Sequence, residues 1–182
     1  MARVIIVGDG PGGLSAALFL AKNGHDATVY GTDNTAMNYA YLYNYLGIPQ
    51  IAGTDFQTIA KRQVRAAGAT LLEEEVISVI INGIFTVESP TGQHQAEYLV
   101  LTEGKNPELA RSLGVETDEG GAVVVDRDNR SSVERVYVVG RSVRPNRSQA
   151  IISAGAGAVA ALDILAREEG KDVQDWDTPP KE

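Results

Sequence analysis

The chain has 182 residues, 43% of them hydrophobic, no cysteine and a formal net charge of −8. That length supports one substantial core, and the acidic balance argues against nucleic acid or an anionic membrane as partner, because their phosphates would be repelled. Without cysteine this chain has no redox disulfide, thiolate nucleophile or thiolate metal site, and His25 and His94 stand too far apart to suggest zinc.

Arg3 to Val7 is an apolar, β-branched run of the kind found in buried parallel strands. Gly12 to Asn23 reads as a helix with Leu14, Leu18 and Ala21 on one face, ended by Asn23-Gly24. Ala27 to Tyr30 completes a βαβ unit. Gly31 to Gln50 is long for a loop, which points to function. Its tyrosines at 39, 41, 43 and 45 alternate, and strand geometry would put all four rings on one face. They suit either a packing cluster or subunit interface, or a ring that stacks on a flat cofactor.

Thr54 or Asp55 is expected to cap a helix running to Ala67, with Gly68 as its stop. Strands are predicted over 71–81, 84–88 and 95–101, joined by the tight-turn signals Asn82-Gly83 and Ser89-Pro90-Thr91-Gly92. They read as a three-stranded antiparallel meander. A short helix over 107–113, strands over 122–125 and 135–139, and a long helix over 150–169 follow. The last helix carries Ala154, Gly155, Ala156, Gly157 and Ala158, small enough for close backbone approach. Residues 1–170 are expected to form one domain, and 171–182, including Trp176 and Pro179-Pro180, a polar tail. Glu73-Glu74-Glu75 reads as a solvated charge run. No charged and apolar leader and no apolar run of roughly 20 residues is read in the chain, so a cytoplasmic location is expected.

Chemistry concentrates at Gly8-Asp9-Gly10-Pro11-Gly12-Gly13, which stands between a strand and a helix. In this context Gly8 permits the tight turn, Gly10 lets the backbone approach a pyrophosphate, and Gly13 lets the helix pack on the strand. The free N–H groups and positive dipole end of the helix favour phosphate there. A ribose-binding acid is expected about 20 residues later. Gly31 follows the second strand directly, and Asp33 is the nearest carboxylate, with a simple turn role as its alternative.

With these residues in place, the chain resembles the FAD domain of low-molecular-weight thioredoxin reductases and related ferredoxin–NADP reductases, in the pyridine nucleotide-disulphide oxidoreductase family. Val4 to Ala17 is similar to the opening strand, turn and helix. Gly31-Thr32-Asp33 resembles a Gly-x-Glu, and Asn44-Tyr45-Leu46-Gly47-Ile48-Pro49 an Asn-Tyr-Pro-Gly-Phe-Pro whose asparagine approaches the flavin. Gly53-Thr54-Asp55 and Ala67-Gly68-Ala69 resemble later landmarks. Thr102-Glu103-Gly104 stands where Ala-Thr-Gly is usual, and Gln149 to Gly155 resembles the segment that meets the flavin ring. The resemblance implies an α/β fold: a three-layer, Rossmann-like FAD-binding domain with a central parallel sheet and an antiparallel three-stranded meander.

It also implies FAD as cofactor. Gly8, Gly10, Pro11, Gly12 and Gly13 would lie at the pyrophosphate and Asp33 at the adenosine ribose. Asn44, Thr102, Gly104, Gly140, Gln149, Ala150 and Ile151 would follow the ribityl chain and ring, with Val76 completing the set.

Two departures stand out. Glu103 to Pro107 leads straight into Leu109 to Val115, so the second nucleotide domain, with its Cys-x-x-Cys, is absent at its usual insertion point. Arg141 replaces an aspartate that bonds the ribityl chain; an arginine can only donate. With Arg144 and Arg147 it forms a cationic run, of which Arg141 or Arg147 is expected to touch the cofactor.

Three functions follow as alternatives. One is an FAD-dependent oxidoreductase fed by an external redox protein or by transient NAD(P)H. A second is a non-catalytic flavin-binding, electron-transfer or regulatory module. The third is an NAD(P)-binding protein without flavin. The resemblance also implies a homodimer.

Overall fold

In a computed structural model of the chain, residues 1–179 are described; Pro180 of the expected tail lies outside them. Five strands build one parallel sheet: β1 (Arg3–Val7), β2 (Asp26–Tyr30), β5 (Thr70–Leu72), β9 (Tyr98–Leu101) and β10 (Val136–Val138). Their order is β10-β9-β1-β2-β5. The chain therefore runs outward from β1 through β2 to β5 and then returns to the other side of β1. The reversal falls between β1 and β9, where the loops leaving neighbouring strands part and open a crevice.

Alternation along the strands separates two apolar layers. Val4, Ile6, Val29 and Val100 face α1 (Pro11–Lys22), α2 (Gly53–Ala66) and α4 (Ala150–Glu169). Ile5, Val7, Tyr30, Leu99 and Leu101 face the opposite layer. That layer holds α3 (Glu108–Ser112) and the antiparallel sheet of β6 (Ser78–Asn82), β7 (Ile84–Ser89) and β8 (Gly92–Ala96). Both faces are covered, which is why these strands read as continuous apolar runs. The three-layer α/β architecture with a parallel sheet and a meander is thus the expected one.

Its strands are divided differently. The segment predicted over 71–81 is two strands, β5 in the parallel sheet and β6 in the meander, parted by Glu73-Glu74-Glu75. The segment over 95–101 is likewise shared, with a bend at Glu97 between β8 and β9. Glu97 is held there by Arg3: the Arg3 N–H donates to its carboxylate at 2.8 Å, and its own N–H donates to the Arg3 carbonyl at 3.0 Å. Residues 122–125 form no strand; Val123 makes a single bridge to Thr117 and is buried with Ala122.

The long loop also has its own structure. Ala36–Tyr39 is a 3-10 turn, and β3 (Tyr41–Leu42) pairs antiparallel with β4 (Ile51–Ala52). The four tyrosines do not line one strand face. Tyr41 and Tyr43 lie with ring centroids 4.8 Å apart, Tyr45 rests on Phe56, and Tyr39 is 93% exposed. α2 starts at Gly53 after Ala52, so neither Thr54 nor Asp55 is its cap; Asp55 sits in the first turn.

α1 and α4 cross in backbone contact: a Cβ on Gly157 would lie 2.0 Å from the Gly12 carbonyl oxygen. α4 is the described helix long and apolar enough, by composition, to span a bilayer, contrary to the expectation of no such run. Its Ala156, Ala160, Ala161, Ile164 and Leu165 are core residues, which accounts for that apolarity. Beyond α4, Lys22 pairs with Asp175 and Asp177, while Trp176 is exposed.

Candidate functional site at the carboxyl edge of the sheet

Four loops leave the sheet side by side. Gly8 follows β1, Gly31 follows β2, Thr102 follows β9 and Val139-Gly140 follows β10. Gly8 takes φ +109°, and a Cβ there would lie 2.4 Å from the Thr102 carbonyl oxygen. A Cβ on Gly13 would lie 2.0 Å from the Gly8 carbonyl oxygen. Both glycines are therefore explained by the protein's own packing.

Gly10 is different. Its φ of −76° and ψ of −179° suit any residue, and a Cβ would meet only Thr35 Oγ1, at 3.5 Å. Nothing in the fold requires glycine there, so the open surface above it is free for a ligand.

α1 begins at Pro11 with no side-chain cap. Its first N–H bond runs from Leu14 to Gly10, so the Gly12 and Gly13 N–H groups have no protein partner among the described residues. α4 begins after Gln149, also without a side-chain cap, and its first such bond is from Ser153 to Gln149 at 2.9 Å. A Cβ on Gly12 would lie 3.2 Å from the Ser153 carbonyl oxygen, so the two helix starts meet. Two uncapped helix N-termini at one edge make a region of positive potential.

Asn44 Nδ2 donates to Gln149 Oε1 at 3.1 Å, which joins the loop after β2 to the start of α4. Gly8, Gly12, Thr102 and Gly140 lie together with Ser153 around this edge. Gly104 takes φ +81°, and its carbonyl accepts from the Ser142 hydroxyl at 2.9 Å. The Val76 side chain is buried in the meander-side core, leaving only its backbone to a ligand. Ala150 is half-buried and Ile151 borders on exposed, at the first turn of α4. Arg141, Arg144 and Arg147 are all exposed and make no carboxylate pair among the described residues.

Asp33 stands at φ +56° in a second part of the edge. Lys61 from α2 donates to its carboxylate at 2.6 Å and pairs with Asp9 at 2.7 Å. The Lys61 hydrogen bond holds the Asp33 carboxyl below the usual carboxylate range. Burial would lower the Lys61 ammonium, but the bonds to Asp33 and Asp9 outweigh it and the net shift is upward. Asp9 lies against Gly31, where a Cβ would be 2.4 Å from the Asp9 side chain. Gln57 Nε2 donates to the Asp9 carbonyl at 2.8 Å.

Asp33, Gln57 and Lys61 border a cleft of about 540 Å³ with Thr32, Asn38 and Glu73. Another cleft, bordered by Arg3, Asp26 and His94, lies at the amino ends of β1 and β2, away from this edge.

The sequence reading missed Asp9, Gln57, Lys61 and Glu103. Asp9 occupies a variable position of the glycine pattern. Gln57 and Lys61 stand four apart on one helix, a same-face spacing that only the fold turns toward the edge. Glu103 accepts from the Leu109 and Ala110 N–H groups at 2.7 and 3.1 Å, closing the short connection from β9 to α3. Burial pushes its carboxyl up.

The sequence model for pyridine nucleotide-disulphide oxidoreductases matches residues 2–107 and 46–158. Thioredoxin reductase of Streptomyces clavuligerus is 32% identical over 124 residues, covering 64% of this chain and 38% of that protein. Dihydrolipoyl dehydrogenase of Haloferax volcanii is 23% identical over 177 residues, covering 94% of this chain and 36% of that protein. The chain thus spans well under half the length of these relatives. The solved structure of a thioredoxin reductase from Gloeobacter violaceus superposes with a TM-score of 0.88 at 16% identity, covering 98% of this chain and 99% of that one. At that identity the likeness is one of fold.

Proposed function

The chain belongs to the pyridine nucleotide-disulphide oxidoreductase family, and we propose that it binds FAD and acts as a flavin-dependent oxidoreductase fed by an external electron donor. The observation that carries this reading is the meeting of two uncapped helix starts over the carboxyl edge, in front of a glycine that the fold itself does not need. FAD would supply the electron-transfer chemistry, and the protein would position it and set its surroundings.

In this reading the free Gly12 and Gly13 N–H groups bind the pyrophosphate, and the open face of Gly10 lets it approach. Asp33 accepts from the adenosine ribose. Asn44 and Gln149, already joined to each other, border the ring, and the start of α4 favours negative charge there. Gly140, Thr102 and Gly104 keep the passage between them clear of side chains or lined by a small one. Arg141 or Arg147 turns inward to donate to the ligand. This chain has no cysteine, so passing electrons to a disulfide requires cysteines beyond these residues. The donor is a redox protein or NAD(P)H. Homodimerisation and a cytoplasmic location belong to the same proposal, and the exposed Tyr39, Tyr43 and Leu46 supply apolar contact surface.

Absorbance of the purified chain, before and after anaerobic NADPH or NADH, tests the reading. Flavin bands are expected; bleaching by a nicotinamide identifies it as the donor, and persistence points to a protein donor. No bands, even after incubation with FAD, would overturn the flavin assignment.

A further inference from the structure

The chain has 24 acidic residues, yet two segments that meet at the carboxyl edge contain none. From Asn34 to Thr54 there is no charged residue at all, and from Val136 to Leu162 the only charges are Arg141, Arg144 and Arg147. The hydrogen bond from Asn44 to Gln149 joins the two segments. They differ in what they can face. The neutral segment meets its own copy without electrostatic cost, which suits the twofold contact proposed above. A twofold axis through the other segment would set its three cations against the same three.

The backbone beneath the arginines is fixed. Ser142 is buried and donates to the Gly104 carbonyl, and Val143 packs on the meander-side core. The Val143 and Arg144 N–H groups donate to the Gly140 carbonyl at 3.3 and 3.2 Å, and the Arg147 N–H donates to the Arg144 carbonyl at 3.2 Å. Arg141, Arg144 and Arg147 are exposed and pair with no carboxylate among the described residues. Whichever of Arg141 and Arg147 turns to a ligand, two cations stay outward. Beside them the first turn of α4 leaves Ile151 36% and Ile152 39% exposed. Protein interfaces are enriched in arginine and depleted in Asp, Glu and Lys. A loop whose backbone is already ordered loses little freedom on docking.

Charge selects the partner. Neither cleft described above includes any of the three arginines; they face open surface, which suits a macromolecule better than a small anion in a concave site. An anionic membrane would meet the net charge of −8 along a broad plane. A protein touches only the patch, and exposed charges beyond about 10 Å are screened at 0.1 M salt. We infer that Arg141, Arg144 and Arg147, with Ile151 and Ile152, form the docking surface for a partner protein with an acidic face. The surface stands without the flavin reading; together with that reading it places the partner beside Gln149, which lies between Arg147 and Ile151 and borders the ring.

The probe is fluorescently labelled poly-L-glutamate, titrated with the full chain at low salt and read by anisotropy. Binding is expected in spite of the like net charge, with an affinity that falls several-fold as salt rises. Arg144→Gln and Arg65→Gln change the net charge equally, but Arg65 is exposed on α2, outside the patch. Arg144→Gln is expected to weaken binding several-fold and Arg65→Gln to leave it at the parent's value. No binding, an equal loss in both variants, or tighter binding to phosphatidylserine vesicles than to poly-L-glutamate would overturn the inference, the last in favour of a membrane. Binding that depends on Arg144 in a chain that takes up no flavin would sustain the surface while removing the flavin reading; flavin uptake without poly-L-glutamate binding would do the reverse.

Discussion

Gly10 and Gly13 stand three residues apart and answer to different constraints. Gly13 has no room for a methyl group, because a Cβ would sit 2.0 Å from the carbonyl oxygen of Gly8. Gly13→Ala must therefore force β1 and α1 apart, at a cost of about 3 kcal/mol or more, the upper end for overpacking. Gly10 has ordinary dihedral angles and open space. Gly10→Ala is expected to leave thermal unfolding within about 0.5 kcal/mol of the parent and, on the pyrophosphate path proposed above, to weaken FAD binding. Thermal melts with flavin titrations check both variants. A Gly10→Ala chain that binds FAD like the parent would remove this glycine from the site.

The pattern of glycines exposed this turn in the sequence, since each spacing has a backbone reason. Lys61 had no such signal: it is one lysine on an amphipathic helix, and only the packing of α2 beside the glycine turn brings it to Asp9 and Asp33.

At the scale of elements, apolar periodicity located the strands but not the sheets they join. Residues 71–81 and 95–101 each contain enough β-forming residues for one long strand. Each instead changes sheet at glutamates, Glu73 to Glu75 in one and Glu97 in the other. A strand's alternation is the same in either sheet, so the sequence shows a continuous pattern where the chain in fact turns. The start of α4 was legible because its segment has a family pattern. What holds α4 in register was not, being assembled from distant residues. Asp163 accepts from the Tyr137 hydroxyl at 2.6 Å, from Arg130 Nε at 2.7 Å, and lies 3.3 Å from Arg167. This ties α4 to β10 and to the loop before it.

Burial pushes the Asp163 carboxyl up, but bonds from Arg130 and Tyr137 outweigh it and keep it below its ordinary value. A carboxyl with a lowered folded pKa contributes stability above its unfolded pKa, about 3.9, and loses it as pH falls through the folded value. Asp163→Asn is expected to cost about 1–2 kcal/mol at pH 7, discounted because Arg130 is 38% exposed. The difference should shrink below about pH 4. Urea midpoints at pH 7 and in the acid range measure it, and an equal difference at both would show that the charge of Asp163 is not what acts.

At the scale of the whole molecule, charge and site pull in opposite directions. A chain of net charge −8 repels an anionic dinucleotide at long range. The start of α4 and Arg141, Arg144 and Arg147, which pair with no carboxylate among the described residues, lie along the turn from β10 to α4, against that global sign. Exposed charges beyond about 10 Å are screened at 0.1 M salt, so ionic strength separates the two contributions. If the local cations govern encounter, the FAD association rate falls as salt rises, by several-fold between about 0.02 and 0.5 M, as for other steered encounters. Replacing all three arginines by glutamine then slows association at low salt and reverses the slope, because only the net negative field remains to be screened. Stopped-flow quenching of flavin fluorescence measures both chains. A parent rate that climbs with salt would mean that the overall charge dominates and that these arginines serve the solvent-facing surface instead of ligand capture.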